Sequence, residues 1–305
     1  MALKNNIKKY IEKKCDIDYS GKTVLITGAN SGVGFAECEE FLFVGANIIM
    51  ACRNTEKAEE AKKKLLAEFP DRKISILKLD LASFSSIEEF VAEVKKQKLD
   101  IDCFINNAGV FRQPNKTTAE GFELVMGTNY IGTYYLTQQI LPYLEKLAHK
   151  VYLINTVSFV YKYCKLDYDN FFGEKKYGNF KIYACSKLAL AKFTQYLAKK
   201  EGDSNIKVYG IHPGISMTPI ATKAYKRLGK VGYWFRFMFN STQKSALASL
   251  YVVSHDLPIG AIVGPTHFGG VRGYPKINKI HKKATIDTDK LIKFTESEIS
   301  KTKKK

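Results

Sequence analysis

The chain has 305 residues, 45% hydrophobic and 26% charged, a balance that fits a folded globular protein and excludes a disordered or fibrous one. Its formal net charge is +18, carried mainly by lysine on helical stretches and densest from Lys276 to Lys305. Lysine reads bases and phosphates less well than arginine, and no helix-turn-helix, zinc-finger or aromatic-basic pattern is present, so no specific nucleic-acid binding is expected and a nucleic-acid role, third among the readings, rests on charge alone.

In chain order, residues 1–20 form a Lys-rich extension with a helix up to about Tyr19 that carries Ile7 and Ile11 on one side. Thr23 to Thr27 reads as a buried strand, and the glycine-rich loop Gly28 to Gly34 leads into a helix that runs to Gly45. The alternation continues with strand 47–52, helix 56–68, strand 74–79, helix 84–97 and strand 101–106. A long helical region covers 120–146, followed by strand 151–156, helix 182–200, strand 208–212, helix 242–254 and a last short strand at 260–263. Repeated strand–helix units predict an α/β, Rossmann-type doubly wound parallel sheet of about seven strands, with helices on both faces. A single domain is expected over 21–270, with a basic C-terminal segment over 271–305. The aromatic stretch 217–240 follows the sixth strand, which puts it outside the carboxyl ends of the sheet, where such folds bind ligands.

No apolar run reaches 18 residues, and the N-terminus lacks the apolar centre of a secretory signal, so a cytoplasmic chain is the expectation. The basic ends leave room for peripheral contact with a membrane surface. Six cysteines (Cys15, Cys38, Cys52, Cys103, Cys164 and Cys185) contain no C-x-x-C pair and read mostly as small buried hydrophobes, not a metal site or disulfide frame. The histidines lack metal-ligand spacing, so no metal is expected, and His212 reads as structural.

Thr27-Gly28-Ala29-Asn30-Ser31-Gly32-Val33-Gly34 sits between a strand and a helix, the context of a dinucleotide-binding loop. Gly28 permits the turn, Gly32 lets backbone approach a pyrophosphate, and Gly34 allows close packing, while the helix N-terminus supplies N–H donors. No Lys-Ser/Thr pair follows, so this is not a P-loop. At the end of the second strand the ribose-reading position holds Cys52 followed by Arg53. An acid there would repel a 2′-phosphate, whereas a neutral residue beside an arginine accepts one, so NADP(H) is expected over NAD(H). The bland alternative is a surface arginine at a helix start. Asp80, with Leu81 beside it, is placed to contact adenine or to cap the next helix. Asn107-Ala108-Gly109 ends the fourth strand with small residues that let a ribose lie against backbone.

Tyr183 and Lys187 lie one helical turn apart on the same face. A cation beside a phenol favours phenolate, so this pairing predicts a lowered tyrosine pKa and acid/base work near neutral pH. At that spacing the pair also occurs on ordinary solvated helices, and its weight comes from the nucleotide loop earlier in the chain.

Together these segments resemble the classical short-chain dehydrogenase/reductase family over about residues 22–264, and most nearly its retinol dehydrogenase-like and WW-domain oxidoreductase-like members. The resemblance rests on the 27–34 loop, Asp80, Asn106 to Gly109, Asn129, Ser158, Tyr183/Lys187 and Pro213-Gly214 with Thr218. It implies an NADP(H)-dependent oxidoreductase that moves a hydride between nicotinamide and a lipophilic alcohol or carbonyl. By the same resemblance Tyr183 is the acid/base, and Lys187 holds the nicotinamide ribose and keeps the phenol acidic. Ser158 then polarises the substrate oxygen and Asn129 holds a relay water. Pro213 and Gly214 flank nicotinamide and Thr218 bonds its carboxamide. Val157 stands where relatives have a first serine. Membrane-bound retinol dehydrogenases carry a hydrophobic N-terminal anchor that this sequence lacks, which favours a soluble carbonyl reductase. A homodimer and a monomer both remain open. The rival reading is a catalytically idle scaffold that binds cofactor on the same fold; the intact set Asn129, Ser158, Tyr183 and Lys187 argues against it.

Overall fold

The computed structural model describes residues 4–111, 116–173, 178–216 and 240–302. Seven strands run parallel: β1 (Thr23–Thr27), β2 (Asn47–Cys52), β3 (Ile74–Lys78), β4 (Cys103–Asn106), β5 (Val151–Thr156), β6 (Ile206–Ile211) and β7 (Ile262–Gly264). An eighth, β8 (Lys276–Asn278), joins β7 antiparallel at the edge, and the sheet order is β3-β2-β1-β4-β5-β6-β7-β8. The order reverses direction between β1 and β4, which makes the carboxyl ends of these two strands the crevice of the sheet.

Side chains along each strand alternate between two apolar layers. Val24 and Ile26 of β1 enter one layer and Leu25 the other, as the period of two requires. On the first face lie α1 (Asn5–Tyr10), α2 (Gly32–Phe43) and α3 (Thr55–Glu68). The second face carries α4 (Phe84–Lys96), the short α5 (Leu124–Met126), α6 (Thr133–Leu144) and α7 (Asn179–Lys200). The next helix, α8 (Thr242–Ser254), packs against α2 on the first face. Ser249 and Gln243 of α8 hydrogen-bond Glu37 and Glu39 of α2, and burial pushes these carboxyls up to about 8 and about 7.

Helical structure at the N-terminus stops at Cys15 rather than near Tyr19: a π-helical turn (Ile11–Cys15) follows α1, and Asp16 takes a left-handed φ of 34°. Ile7 and Ile11 are buried, as their spacing suggested. The helix expected at 182–200 begins at Asn179. Residues 271–302, expected as a basic segment, supply β8 and α9 (Thr288–Thr302). Leu291, Ile292, Thr295 and Ile299 recur at helical spacing and bury one face of α9 in the apolar layer that α7 shares. Thr295 Oγ1 and Tyr130 Oη form a buried 2.7 Å hydrogen bond that seals the contact. Among the described residues no helix is long and apolar enough to cross a membrane.

Cys164 and Cys185, expected as separate buried thiols, are joined in a disulfide, while Cys15, Cys38, Cys52 and Cys103 are free and buried. A 21-residue sequence separation hides the pairing, which only the docking of α7 brings about.

If α9 is part of the core, Leu291→Ala leaves a cavity and lowers the unfolding free energy by about 2–5 kcal/mol. Urea denaturation measures this, and a loss below about 0.5 kcal/mol, the scale of an ordinary surface change, contradicts the docking.

Candidate active site

The carboxyl ends of β1 to β6 open onto one cleft of about 740 Å³. Its floor is set by a clamp between β1 and β4. Thr27 Oγ1 accepts the N–H groups of Asn107 (3.0 Å) and Ala108 (2.9 Å), and Asn107 Nδ2 donates to the Thr27 carbonyl at 2.9 Å. The glycine loop fits against this clamp. Gly28 has φ +68°, and a Cβ there would stand 3.0 Å from Ala108 Cα. A Cβ on Gly34 would stand 2.5 Å from Asn107 Nδ2, so the close packing made possible by Gly34 is against the end of β4.

Ser31 is the N-cap residue of α2, yet its hydroxyl accepts no N–H from the helix. The first-turn donors of α2 are thus left to a ligand on the cleft side, where Asn30, Ser31, Gly32 and Val33 all line the wall. Beyond the carboxyl end of β2, Arg53 Nε lies 3.9 Å from Asp80 Oδ2. Asp80 does not cap the next helix: Ser83 is the N-cap of α4, and Asp80 Oδ1 accepts the Ala82 N–H at 3.0 Å in a local turn. Arg53, Asp80 and Leu81 border the cleft.

Opposite the loop, the end of β5 and α7 bring Ser158, Tyr183 and Lys187 to the cleft. Lys187 is buried and its Nζ donates to the Thr156 carbonyl at 2.7 Å. Burial, with no carboxylate contributing, pulls this ammonium down to about 8. Its Nζ stands 5.9 Å from the Tyr183 ring centre. The Tyr183 phenol is raised, chiefly by burial, while a hydrogen bond with the Ser158 side chain lowers it in part. The direction differs from the lowered value that helical spacing suggested: removal of water around the phenol raises it, and Ser158 offsets this only in part. Phe111 meets the Tyr183 ring edge-on, with centroids 5.1 Å apart.

Asn129 sits fully buried in a π-helical turn, Gly127–Gly132, between α5 and α6. Its Oδ1 accepts the Val110 N–H at 2.7 Å, and its Nδ2 donates to the Val110 carbonyl (3.0 Å) and to Ser186 Oγ (3.1 Å). Both amide protons are therefore spent on bracing the loop after β4 to α7. Gly109 precedes that brace, and a Cβ there would lie 3.2 Å from Asn129 Oδ1.

Past β6, Pro213 and Gly214 reach the cleft, and Gly214 has φ +71° with no room for a Cβ beside the Val271 carbonyl. Thr218 and nearly all of the aromatic stretch, residues 217–239, lie outside the described residues. His212 is buried, and burial lowers it to about 4, so it is neutral, in keeping with a structural place.

Sequence reasoning missed Thr156, whose carbonyl anchors Lys187 and whose buried Oγ1 has no partner although the residue lines the cleft. It also missed Ser186, whose hydroxyl donates to the Tyr183 carbonyl at 2.7 Å and accepts from Asn129. Spacing alone offered a signal for Ser186, three residues after Tyr183 on one helix. The apolar end of the cleft, formed by Phe111, Phe159, Val160, Tyr163, Phe180 and Ile215, comes from four separate segments, so no local pattern reveals it.

The cleft fits a dinucleotide: glycines stand where a Cβ would block it, the first turn of α2 is uncapped by side chain, and the buried hydroxyls of Thr128 and Thr156 lack partners. Comparison with known proteins agrees. A family model described as short chain dehydrogenase matches residues 22–229. Retinol dehydrogenase 13 of Homo sapiens is 35% identical over 262 residues, which is 83% of this chain and 77% of that protein. Retinol dehydrogenase 14 of Mus musculus is 38% identical over 208 residues, 65% of this chain and 62% of its own. Among solved structures, an uncharacterized protein from Mycobacterium paratuberculosis has a TM-score of 0.75 at 28% identity, covering 94% of this chain and 95% of its own. L-sorbose reductase from Gluconobacter frateurii, complexed with NADPH and L-sorbose, shares the fold with a TM-score of 0.65 at 23% identity, over 81% and 95%.

The depressed Lys187 pKa has a thermodynamic sign. Below about 8 the folded and unfolded chains both carry this proton, and from about 8 up to 10.5 only the unfolded chain keeps it, so this group makes stability rise with pH across that window. Comparison with Lys187→Met cancels the other titrations: wild type gains stability relative to the variant between about pH 8 and 10.5, and the difference is flat below. Urea midpoints at several pH values measure it, and a difference that falls above pH 8 contradicts the burial of the ammonium.

Proposed function

This chain belongs to the short-chain dehydrogenase family, and from that membership we propose that it is an NADP(H)-dependent oxidoreductase acting on a lipophilic alcohol or carbonyl, with Tyr183 as acid/base. One observation carries the reading: Ser158, Tyr183 and Lys187 meet at one wall of a cleft whose other wall is the glycine loop.

The dinucleotide, when bound, supplies or accepts the hydride. The N–H donors of α2 and the 28–34 loop would hold its pyrophosphate, and Asn107, Ala108 and Gly109 would lie along a ribose. Arg53, with Cys52 in place of an acid, suits a 2′-phosphate, and L-sorbose reductase, a structural relative, binds NADPH. Asp80 and Leu81 border the adenosine end, and Pro213 and Gly214 the nicotinamide end.

The remaining steps belong to this chain's residues. The raised pKa of Tyr183 keeps its hydroxyl protonated near neutral pH, ready to donate to a carbonyl oxygen during reduction. Ser158 stands beside the phenol, and its single hydroxyl proton turns to the substrate oxygen once that oxygen is bound. Lys187, charged at neutral pH, uses one donor on the Thr156 carbonyl and keeps two for the ribose. Asn129 acts as a positioning residue, because its amide protons are committed to Val110 and Ser186. The apolar end of the cleft, together with relatives named retinol dehydrogenase, supports a lipophilic substrate.

Tyr183→Phe keeps the ring and removes the proton donor, so carbonyl-dependent NADPH consumption falls about 10²–10⁴-fold. Equal turnover in wild type and variant sinks the assigned mechanism. Arg53→Ala weakens NADPH binding about 10–100-fold, the worth of a charge-assisted hydrogen bond, and leaves NADH binding within about twofold. Equal losses for both nucleotides, read by fluorescence titration, remove the 2′-phosphate role.

A further inference from the structure

The disulfide lies within the site. Cys164 is the residue that ends a 3₁₀ helix (Phe159–Tyr163) whose N-cap is Ser158 and whose Phe159, Val160 and Tyr163 line the apolar end of the cleft. Cys185 stands in α7, midway between Tyr183 and Lys187 and five residues after Phe180, which lines the cleft mouth from the other side. Their Cα atoms are 5.4 Å apart, inside the roughly 4.4–6.8 Å range that a disulfide spans without backbone movement. The bond therefore joins the substrate wall to the helix that carries the acid/base.

Resting on the oxidoreductase reading above, we propose that Cys164 and Cys185 are a reversible oxidative modification site that sets the fit of the substrate pocket. Four of the six cysteines stay free and one bond closes across the cleft wall, so the pair is not part of a disulfide framework. Other contacts hold the same segments. Both cysteines sit in the apolar layer with Phe171, Ile182 and Leu188. The 3₁₀ segment is also tied from its far side, where the His281 N–H donates to Tyr161 Oη at 3.1 Å and Lys283 Nζ to the Lys162 carbonyl at 2.8 Å. Opening the bond thus loosens Tyr163 and Phe180 at the mouth without releasing Lys187, which the Thr156 carbonyl holds separately.

The chemistry is exchange with a low-molecular-weight disulfide such as oxidised glutathione, which reaches the buried pair when the 159–164 segment opens. One protein thiolate attacks that disulfide and expels one thiol. The second protein thiolate then attacks the mixed disulfide and expels the other. The protein loses two electrons and two protons, and two glutathione thiols gain them. Excess reduced glutathione runs the same steps backwards.

The full chain is equilibrated in glutathione buffers from fully reduced to fully oxidised, free thiols are trapped with N-ethylmaleimide, and the pair is read by mass spectrometry. Cys164 and Cys185 should convert together while the other four stay free. NADPH consumption is then followed with decanal and with propanal. Reduction should raise KM for decanal at least threefold and leave kcat, and KM for propanal, within about twofold. Cys164→Ser should show the reduced values in both buffers. A cysteine pair that stays bonded in excess reduced glutathione, or never bonds in excess oxidised glutathione, overturns the proposal, and so does a decanal KM indifferent to a verified change of bond. Amide hydrogen exchange gives a readout free of turnover: rates over 159–164 and 178–185 should rise at least threefold on reduction, and unchanged rates reject the idea. If neither aldehyde is turned over in any buffer, the oxidoreductase reading fails, and the exchange rates alone decide the redox proposal.

Discussion

The register between β5 and α7 is the constraint on which the site depends. It is marked by two rungs: Lys187 Nζ donates to the Thr156 carbonyl at 2.7 Å, and the Ser158 side chain stands close enough to the Tyr183 phenol to lower its pKa. Along the chain, the strand advances two residues while the helix steps back four. Two residues of extended backbone span roughly 6.6 Å, and four residues of helix rise roughly 6 Å. The rungs therefore match only when α7 runs antiparallel to the end of β5 and close against it. A one-residue slip of α7 would turn both Tyr183 and Lys187 by about 100° and break both rungs.

Everything else in the cleft is braced against that pair. Ser186, between the two reactive residues, connects the Tyr183 carbonyl to Asn129, and Asn129 closes on both backbone groups of Val110. Val110 continues the β4 loop whose Asn107 and Ala108 hang from the Thr27 hydroxyl. A chain of hydrogen bonds thus runs from α7 through the β4 loop to the glycine loop, and each member is buried or half-buried. In so dry an environment an unpaired donor costs about 1–3 kcal/mol, so each link enforces the next. The π-helical turn at Gly127–Gly132 belongs to this chain, since it is where Asn129 enters the loop, and Gly132 packs against the Leu81 carbonyl too closely for any Cβ.

What could be read from the sequence was whatever local periodicity or local chemistry encodes. β1, β2 and β5 fall where apolar runs placed them, and the glycine loop was recognisable because strand, glycines and helix are adjacent in the chain. Tyr183 and Lys187 were legible because helical spacing places side chains on one face. The eighth strand was not: Lys276-Ile277-Asn278 is three residues long, too short for its alternation to stand out from the surrounding loop. α9 was masked by its lysines, which drew attention to charge and away from Leu291, Ile292, Thr295 and Ile299 beneath them. Asp80 looked like a cap because acids cap helices, but Ser83 lies closer to α4 and took the place. The direction of the Tyr183 shift was not legible, because sequence shows which charge is a neighbour and does not show how much water has been removed.

That removal has a consequence for the reaction proposed. In water, a lysine ammonium holds its proton slightly more tightly than a tyrosine phenol. In the cleft the order is well separated in the other direction, with Lys187 lowered to about 8 and Tyr183 raised above 10.0. Burial penalises phenolate while no negative charge is called for, so the hydroxyl rests protonated. The low dielectric that imposes this penalty also strengthens the field of an ammonium one helical turn away. As the proton leaves toward a carbonyl oxygen, negative charge grows on the phenol, and the cation is already fixed in place by a backbone carbonyl, so no solvent need reorganise. The stabilisation thus appears as the charge develops and is weak before it, the differential that lowers a barrier rather than a resting energy.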